Sequence, residues 1–505
     1  HLFCLNSKHL YSMQMNSHSR RRFISNSITA GAGLSMAAIL PRGRAASKGS
    51  PNDVIQLGII GVGNKAMGHI GHLLGLAGVR IVALCDVDQA NLEKGQSKLR
   101  EQGVQAKGYR DMRRLLEDSE VDAVVIATPN HWHALATVWA CQAGKDVYVE
   151  KPVAHNLWEG KKMVEAARKY RRIVQAGTQN RSDTGFRQAI QYVREGHIGK
   201  IQWVHGLWYK ERKSMGKVSG PQVIPEGVDY DLWTGPAPME PLMRQKLHYD
   251  WHWDWDTGNG DMGNLGAHQL DDCVHVLGAT TLPKRFLCLG GRYARADDGE
   301  TPNIQAAFLE FENAPPVIVE LRGLPHETDG KYMDNLRDVR SGNIVQCEGG
   351  YFAGGRGGGF IYDNDGKRME KFPGDSGLTH FENWLDSVRT RKRSTLRAEI
   401  AVGVRSANLC HLANLAFRSG LPTSTDEVAE RVGQYGHAAE TVDSIASHLD
   451  ANDVDLKEAP LTCSQWMEFD EKKMEFSGGG DYGNGVANAL AKPSYRAPYV
   501  VPERV

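Results

Sequence analysis

Between residues 54 and 180 apolar positions fall in short unbroken runs, each followed by a stretch with helical spacing. "VIQLGII" (54–60), "VRIVALCD" (79–86), "VDAVVIATP" (121–129) and "DVYVEKP" (146–152) read as buried strands. Helical patterns lie between them at 65–76, 88–101, 110–118 and 131–143, and a further helix (156–170) leads to "RIVQAGTQ" (172–179). Strand and helix in alternation imply an α/β fold with a doubly wound parallel sheet.

Beyond about residue 200 the pattern changes. Strand-like runs follow one another at 201–209, 285–294, 303–312 and 315–323, which predicts a large, open, mostly antiparallel sheet in an α+β second domain. The run 349–359 reads as a glycine-rich loop, and 380–392 and 399–420 as amphipathic helices. The chain past 460 reads as an extended tail. The expected organisation is a leader and upstream residues (1–46), a parallel-sheet domain (52–180), an open-sheet domain (181–460) and the tail (461–505).

The leader rests on "SRRRFI" (19–24), followed by a mildly apolar stretch and small residues near Ala46. It resembles a twin-arginine export signal, so a periplasmic or otherwise exported location is expected. Sixty basic and 60 acidic residues give no net charge, hence no nucleic-acid partner is expected. No run of 18 apolar residues predicts a membrane span. Seven cysteines follow the leader; none forms CxxC and most sit in apolar stretches, so they read as buried free thiols.

Directly after the first strand stands Gly61-Val62-Gly63-Asn64-Lys65-Ala66, the G-x-G-x-x-A form of a dinucleotide fingerprint. The first glycine permits the turn, the second lets backbone approach pyrophosphate, and Ala66 lets helix and strand pack closely. Asp86 ends the second strand, where a carboxylate accepts ribose hydroxyls and repels a 2′-phosphate. No Arg or Lys occurs from Val87 to Leu92, so NAD is favoured over NADP. Glu150-Lys151-Pro152 ends the strand over 146–152, where ligands sit in such sheets, and burial beside a nicotinamide cation would lower the lysine's pKa.

Together with "ATPNHWH" (127–133) and "GNLGAHQLDD" (263–272), these motifs resemble the glucose–fructose oxidoreductase, inositol dehydrogenase and rhizopine-catabolism (Gfo/Idh/MocA) family over residues 52 to about 420. The resemblance implies a Rossmann domain, a C-terminal sheet domain that often oligomerises (a dimer or tetramer), and sugar or cyclitol substrates. It implies that Lys151 and His268 are catalytic, that Thr128, Pro129, Asn130 and His133 line the nicotinamide ribose, and that Asp271 is the last acid of D-x-x-x-H-x-x-D. The first acid of that pattern falls on Asn264, and an amide cannot relay a proton as a carboxylate does; Lys151 with His268 would then carry the proton, with Asn264 counted beside them as a catalytic residue. Asp261 is a candidate to replace the missing acid sterically.

"HYDWHWDWD" (248–256) alternates acid or imidazole with aromatic residues. As an extended strand it would set carboxylates and imidazoles on one face and indoles on the other. The tryptophans are then core, or the strip contacts a sugar, with Trp253 and Asp254 the nominated residues. Groups two apart on a strand seldom hold a metal alone, and no metal site is expected. Gly258, Gly260, Gly263 and Gly266 would turn the backbone to bring Asn264 and His268 to the nicotinamide. Asn180, Arg181 and Asp271 are further substrate candidates.

The expected function is hydride transfer between a tightly bound nicotinamide and a secondary alcohol of a sugar, glycoside or cyclitol. Two alternatives stand beside it: redox-neutral glycoside cleavage through a keto sugar, and carbohydrate binding without catalysis.

Overall fold

The computed structural model describes residues 54–505, so the expected leader lies outside the described residues. Six strands, Ile55–Ile60, Val79–Cys85, Lys107–Tyr109, Ala123–Ile126, Asp146–Val149 and Val174–Ala176, form one sheet. In spatial order it runs third, second, first, fourth, fifth, sixth, and every pairing is parallel. Leu57, Ile59 and the strand Ala123–Ile126 are fully buried, as apolar runs without alternation require in a sheet covered on both faces. The short strand Lys107–Tyr109 has no apolar run, and the sequence pattern misses it.

Side-chain caps set several helix starts. Asp88 accepts the N–H of Ala90, Asp111 that of Arg113, and Asn156 that of Glu159. Order reverses between the first and fourth strands, which opens a crevice at their carboxyl ends.

The second sheet has ten strands, all antiparallel except Ile201–Tyr209 against Val317–Arg322. Helices Thr184–Arg194, Ala267–Leu277 and Ile400–Arg418 pack on one face around Val204, Ala307, Val319 and Val345. Helices Thr425–Val432 and Gly436–Asp450, not foreseen from the sequence, cover part of the other face. The run read as a glycine-rich loop is instead a hairpin, Gly350–Gly355 with Gly358–Tyr362. Gly358 sits at φ +89°, and a Cβ there would clash with the Phe372 carbonyl. Its glycines thus serve close strand packing rather than looseness.

The tail is also more structured than expected. Leu461–Cys463 joins the large sheet, Glu468–Asp470 pairs with Glu475–Ser477, and Gly480–Leu490 is a helix. Only the last residues run extended, burying Tyr499, Val501 and Val505 against the nucleotide-binding domain. The seven described cysteines are buried and free. Among the described residues no helix is long and apolar enough to cross a membrane, and no group of three or more His, Cys, Asp or Glu could hold a metal ion.

Candidate active site

One cavity of about 690 Å³ lies over the crevice and runs from Gly61, Gly63 and Asp86 to Lys151, Asn264 and His268. Gly61 turns the chain at φ +80°, and a Cβ on it would stand 2.8 Å from the Ala127 carbonyl and the Thr128 nitrogen. Gly63 precedes helix Asn64–Leu73, and a Cβ there would project into open space. The cavity at that point therefore meets bare backbone at a helix N-terminus, where anions are favoured. Val62 and Ala66 are buried behind this turn.

Asp86 is anchored from two sides: Oδ2 accepts the N–H of Val62 at 2.6 Å and Oδ1 that of Asp88 at 2.9 Å. Burial raises its pKa, and the two backbone donors oppose that rise. Beside it Arg110, 24 residues further on, lines the cavity and donates 2.8 Å to the Gly227 carbonyl.

Thr128, Pro129, Asn130 and His133 all line the cavity. Thr128 Oγ1 is buried with no hydrogen-bond partner among the described residues. Asn130 reaches the second domain, donating 3.0 Å to Asn259 Oδ1. His133 meets the carbonyls of Pro152 at 2.6 Å and Thr128 at 2.9 Å, fixing the strand end that carries Lys151. A dinucleotide fits these residues: it would fill the space a Cβ on Gly63 would enter and give Thr128 Oγ1 a partner.

Glu150 is buried and bonded to His69 at 2.7 Å, with Lys65 at 3.4 Å. Burial alone would raise its pKa, but the charges of Lys65, His69 and Lys151 hold it well below the usual carboxylate range. Lys151 turns the other way. Loss of hydration brings its pKa to about 8, Glu150 opposing and Lys65 adding to the fall. Burial, then Lys151 and Lys65, keep His268 well below its usual value and so neutral. Its ring lies 6.0 Å from that of Trp208, and among the described residues no group hydrogen-bonds to it.

Asn264 sits in a π-turn, Met262–Gly266, that runs into the helix bearing His268. Such turns often occur at functional sites. Lys151 Nζ donates to the Asn264 carbonyl and stands 3.3 Å from its Oδ1. Asp261 does not replace the missing acid, because Arg212 holds its carboxylate at 2.7 and 2.9 Å.

The strip 248–256 forms no strand. Tyr249 has φ +71° and Asp250–Trp253 is a 3₁₀ turn, so the alternation never meets a partner strand that would give it two faces. Trp253 is buried under Arg212, and Asp254 pairs with Arg244 at 3.0 Å; neither lines the cavity. Tyr249, Trp251 and His252 do, the last two stacked with centroids 3.6 Å apart. Trp132 and Trp233 also line it, and nothing in the sequence pattern marked Trp233 or Arg110.

Asn180, Arg181 and Asp271 lie outside the cavity as well. Asn180 donates 2.8 Å to Asp272, while Asp271 accepts from Arg181 at 2.8 Å and from Ser406 at 2.6 Å. These bonds tie Asn180 Nδ2, Arg181 Nε and the Asp271 carboxylate to other protein groups, and none of the three residues lines the cavity where a substrate would sit.

Two family profiles match in the order the fold predicts. Residues 55–178 match the Gfo/Idh/MocA profile described as "Oxidoreductase family, NAD-binding Rossmann fold". Residues 198–286 match its companion, "Oxidoreductase family, C-terminal alpha/beta domain". These two stretches of the chain are similar to the two domains of the Gfo/Idh/MocA oxidoreductase family. Within that family's neighbourhood, an inositol 2-dehydrogenase from Salmonella typhimurium is 32% identical over 180 residues, 35% of this chain and 52% of the relative. An alpha-N-acetylgalactosaminidase from Tannerella forsythia is 30% identical over 211 residues, 37% of this chain and 44% of the relative. The chain thus spans about half the length of the curated relatives it matches. In fold it resembles the aldose-aldose oxidoreductase from Caulobacter crescentus, with TM-score 0.55 and 17% identity over 72% of this chain and 97% of the other.

Proposed function

We propose that the chain transfers hydride between a tightly held NAD and a secondary alcohol of a sugar, glycoside or cyclitol. The observation that carries this reading is the single cavity joining the Gly61–Gly63 turn and Asp86 to Lys151 and His268. When bound, the nicotinamide supplies the hydride acceptor. Lys151 takes the hydroxyl proton: the O–H bond breaks toward Nζ, the C–H bond gives up both electrons as hydride, and the carbonyl forms. With a pKa of about 8, Lys151 exchanges that proton near neutrality. Neutral His268 offers a hydrogen bond to the same oxygen. The aromatic wall of Trp251 and Tyr249 suits the apolar C–H face of a ring, and His252 a hydroxyl.

The second reading, redox-neutral glycoside cleavage through a keto sugar, draws support from the similarity to the galactosaminidase. Export, drawn from Ser19–Ile24, and homo-oligomer assembly belong to the same proposal. The test offers a panel of cyclitols, sugars and aryl glycosides to the purified protein. Keto product or NADH formation supports the first reading, and aglycone release without net NADH the second. Tight binding with no turnover of any kind contradicts both.

A further inference from the structure

The residue where this chain departs from the family's acid–histidine pattern is also the one that grips the lysine. Lys151 Nζ meets two oxygens of Asn264, the backbone carbonyl and, at 3.3 Å, the side-chain Oδ1. A lysine nitrogen has three directions beside its Cε bond. Two are taken by Asn264, and the third is left for a group in the cavity that Lys151 lines.

The orientation of the amide follows from chemistry. Asp261 Oδ1 stands 3.5 Å from Asn264 Nδ2. Asp261 cannot turn away, because Arg212 binds both its oxygens, and Arg212 is itself tied to Tyr249 Oη at 2.9 Å. An ionised carboxylate only accepts hydrogen bonds, so the amide nitrogen must face Asp261 and the amide oxygen must face Lys151. A neutral acceptor holds Nζ without pinning it as ammonium, as a carboxylate at that place would. Other groups that act on Nζ are Glu150, Lys65, Cys410 and Asp261, with His268 on the next turn.

We propose that Asn264, oriented by the Asp261–Arg212 pair, is a positioning residue that fixes two of the three Nζ directions of Lys151 and leaves the third as the route of proton exchange with substrate oxygen. This deepens the dehydrogenase reading and rests on it for the word substrate. The geometry itself is tested without any substrate. The midpoint of Lys151 deprotonation is read in the purified full chain by competitive acetylation with acetic anhydride across pH, with peptide mapping by mass spectrometry.

Asn264→Asp is expected to move that midpoint up by about one pH unit or more, a tenfold change in proton affinity. Asn264→Leu keeps the backbone acceptor and removes Oδ1, and is expected to move the midpoint down. An unmoved midpoint in a folded Asn264→Asp, or a rise in Asn264→Leu, overturns the proposal. Should the aspartate variant fail to fold, the leucine variant decides alone. Failure of the dehydrogenase reading would appear as missing turnover with these shifts intact, so the two failures are distinguishable.

Discussion

Tyr499 and Trp132 meet edge to face with ring centroids 5.5 Å apart, which places the end of the chain against a wall of the cavity. Tyr499 Oη also donates to Asp231 at 2.7 Å, and Trp132 Nε1 donates to the carbonyls of Leu232 and Trp233. Tail, cavity wall and the segment around Asp231 thus form one packed unit. Tyr499→Ala is expected to cost about 3 kcal/mol, as other large-to-small aromatic truncations do, and Tyr499→Phe about 1 kcal/mol. Urea unfolding checks both.

The two fingerprint glycines should fail differently. Gly61→Ala forces a positive φ on a side chain and drives Cβ into the backbone at Ala127, so it should lose stability and nucleotide binding together. Gly63→Ala puts its methyl into open space, so it should keep its melting temperature and lose at least tenfold in NADH affinity. Calorimetric melting and NADH fluorescence titration separate the two.

Lys151 sets the pH dependence. Its folded pKa of about 8 means that the amine form, which accepts the alcohol's proton, accumulates as pH rises through 8. Alcohol oxidation should therefore climb between pH 7 and 9 and then level, while carbonyl reduction, which needs the ammonium, should fall over the same range. Lys151→Met should lower kcat by about 10²–10⁴ with nucleotide still bound. Rates measured in both directions across pH check this.

Asp272 gives a stability prediction of opposite kind. Burial first, and Asp271 next, raise its pKa to about 8, while Asn180 and Asn343 donate to its Oδ2. The folded state therefore holds a proton that the unfolded state releases above about pH 4. Stability should fall as pH rises from 4 to 8, with a slope approaching about 1.4 kcal/mol per pH unit from this group. Asp272→Asn, neutral throughout, should flatten that fall, as read by denaturant midpoints at pH 5, 6.5 and 8.

What the sequence made legible was local. Gly61, Gly63 and Asp86 stand within 26 positions of one another, and each does its work through its own backbone turn or strand end. The parallel and antiparallel sheets followed from apolar runs. Lys151, Asn264 and His268 were placed together by family resemblance, since nothing in their spacing joins residues 113 positions apart. Pairing of Arg212 with Asp261 was illegible because both are ordinary charges until the fold brings them together. The strip at 248–256 misled for a related reason: alternation assigns faces only when a partner strand exists. Trp251 and His252 consequently face the cavity, and Trp253 and Asp254 do not.

The central claim is that the crevice holds a nicotinamide dinucleotide with its reactive end toward Lys151. Native mass spectrometry of the purified chain, before and after NADH is added, tests it most directly, with Gly63→Ala as control. The account predicts a mass increment of one dinucleotide per chain in the wild type, retained under mild activation and absent or weakened in Gly63→Ala. A correctly folded wild-type protein that neither carries nor takes up the dinucleotide would contradict it.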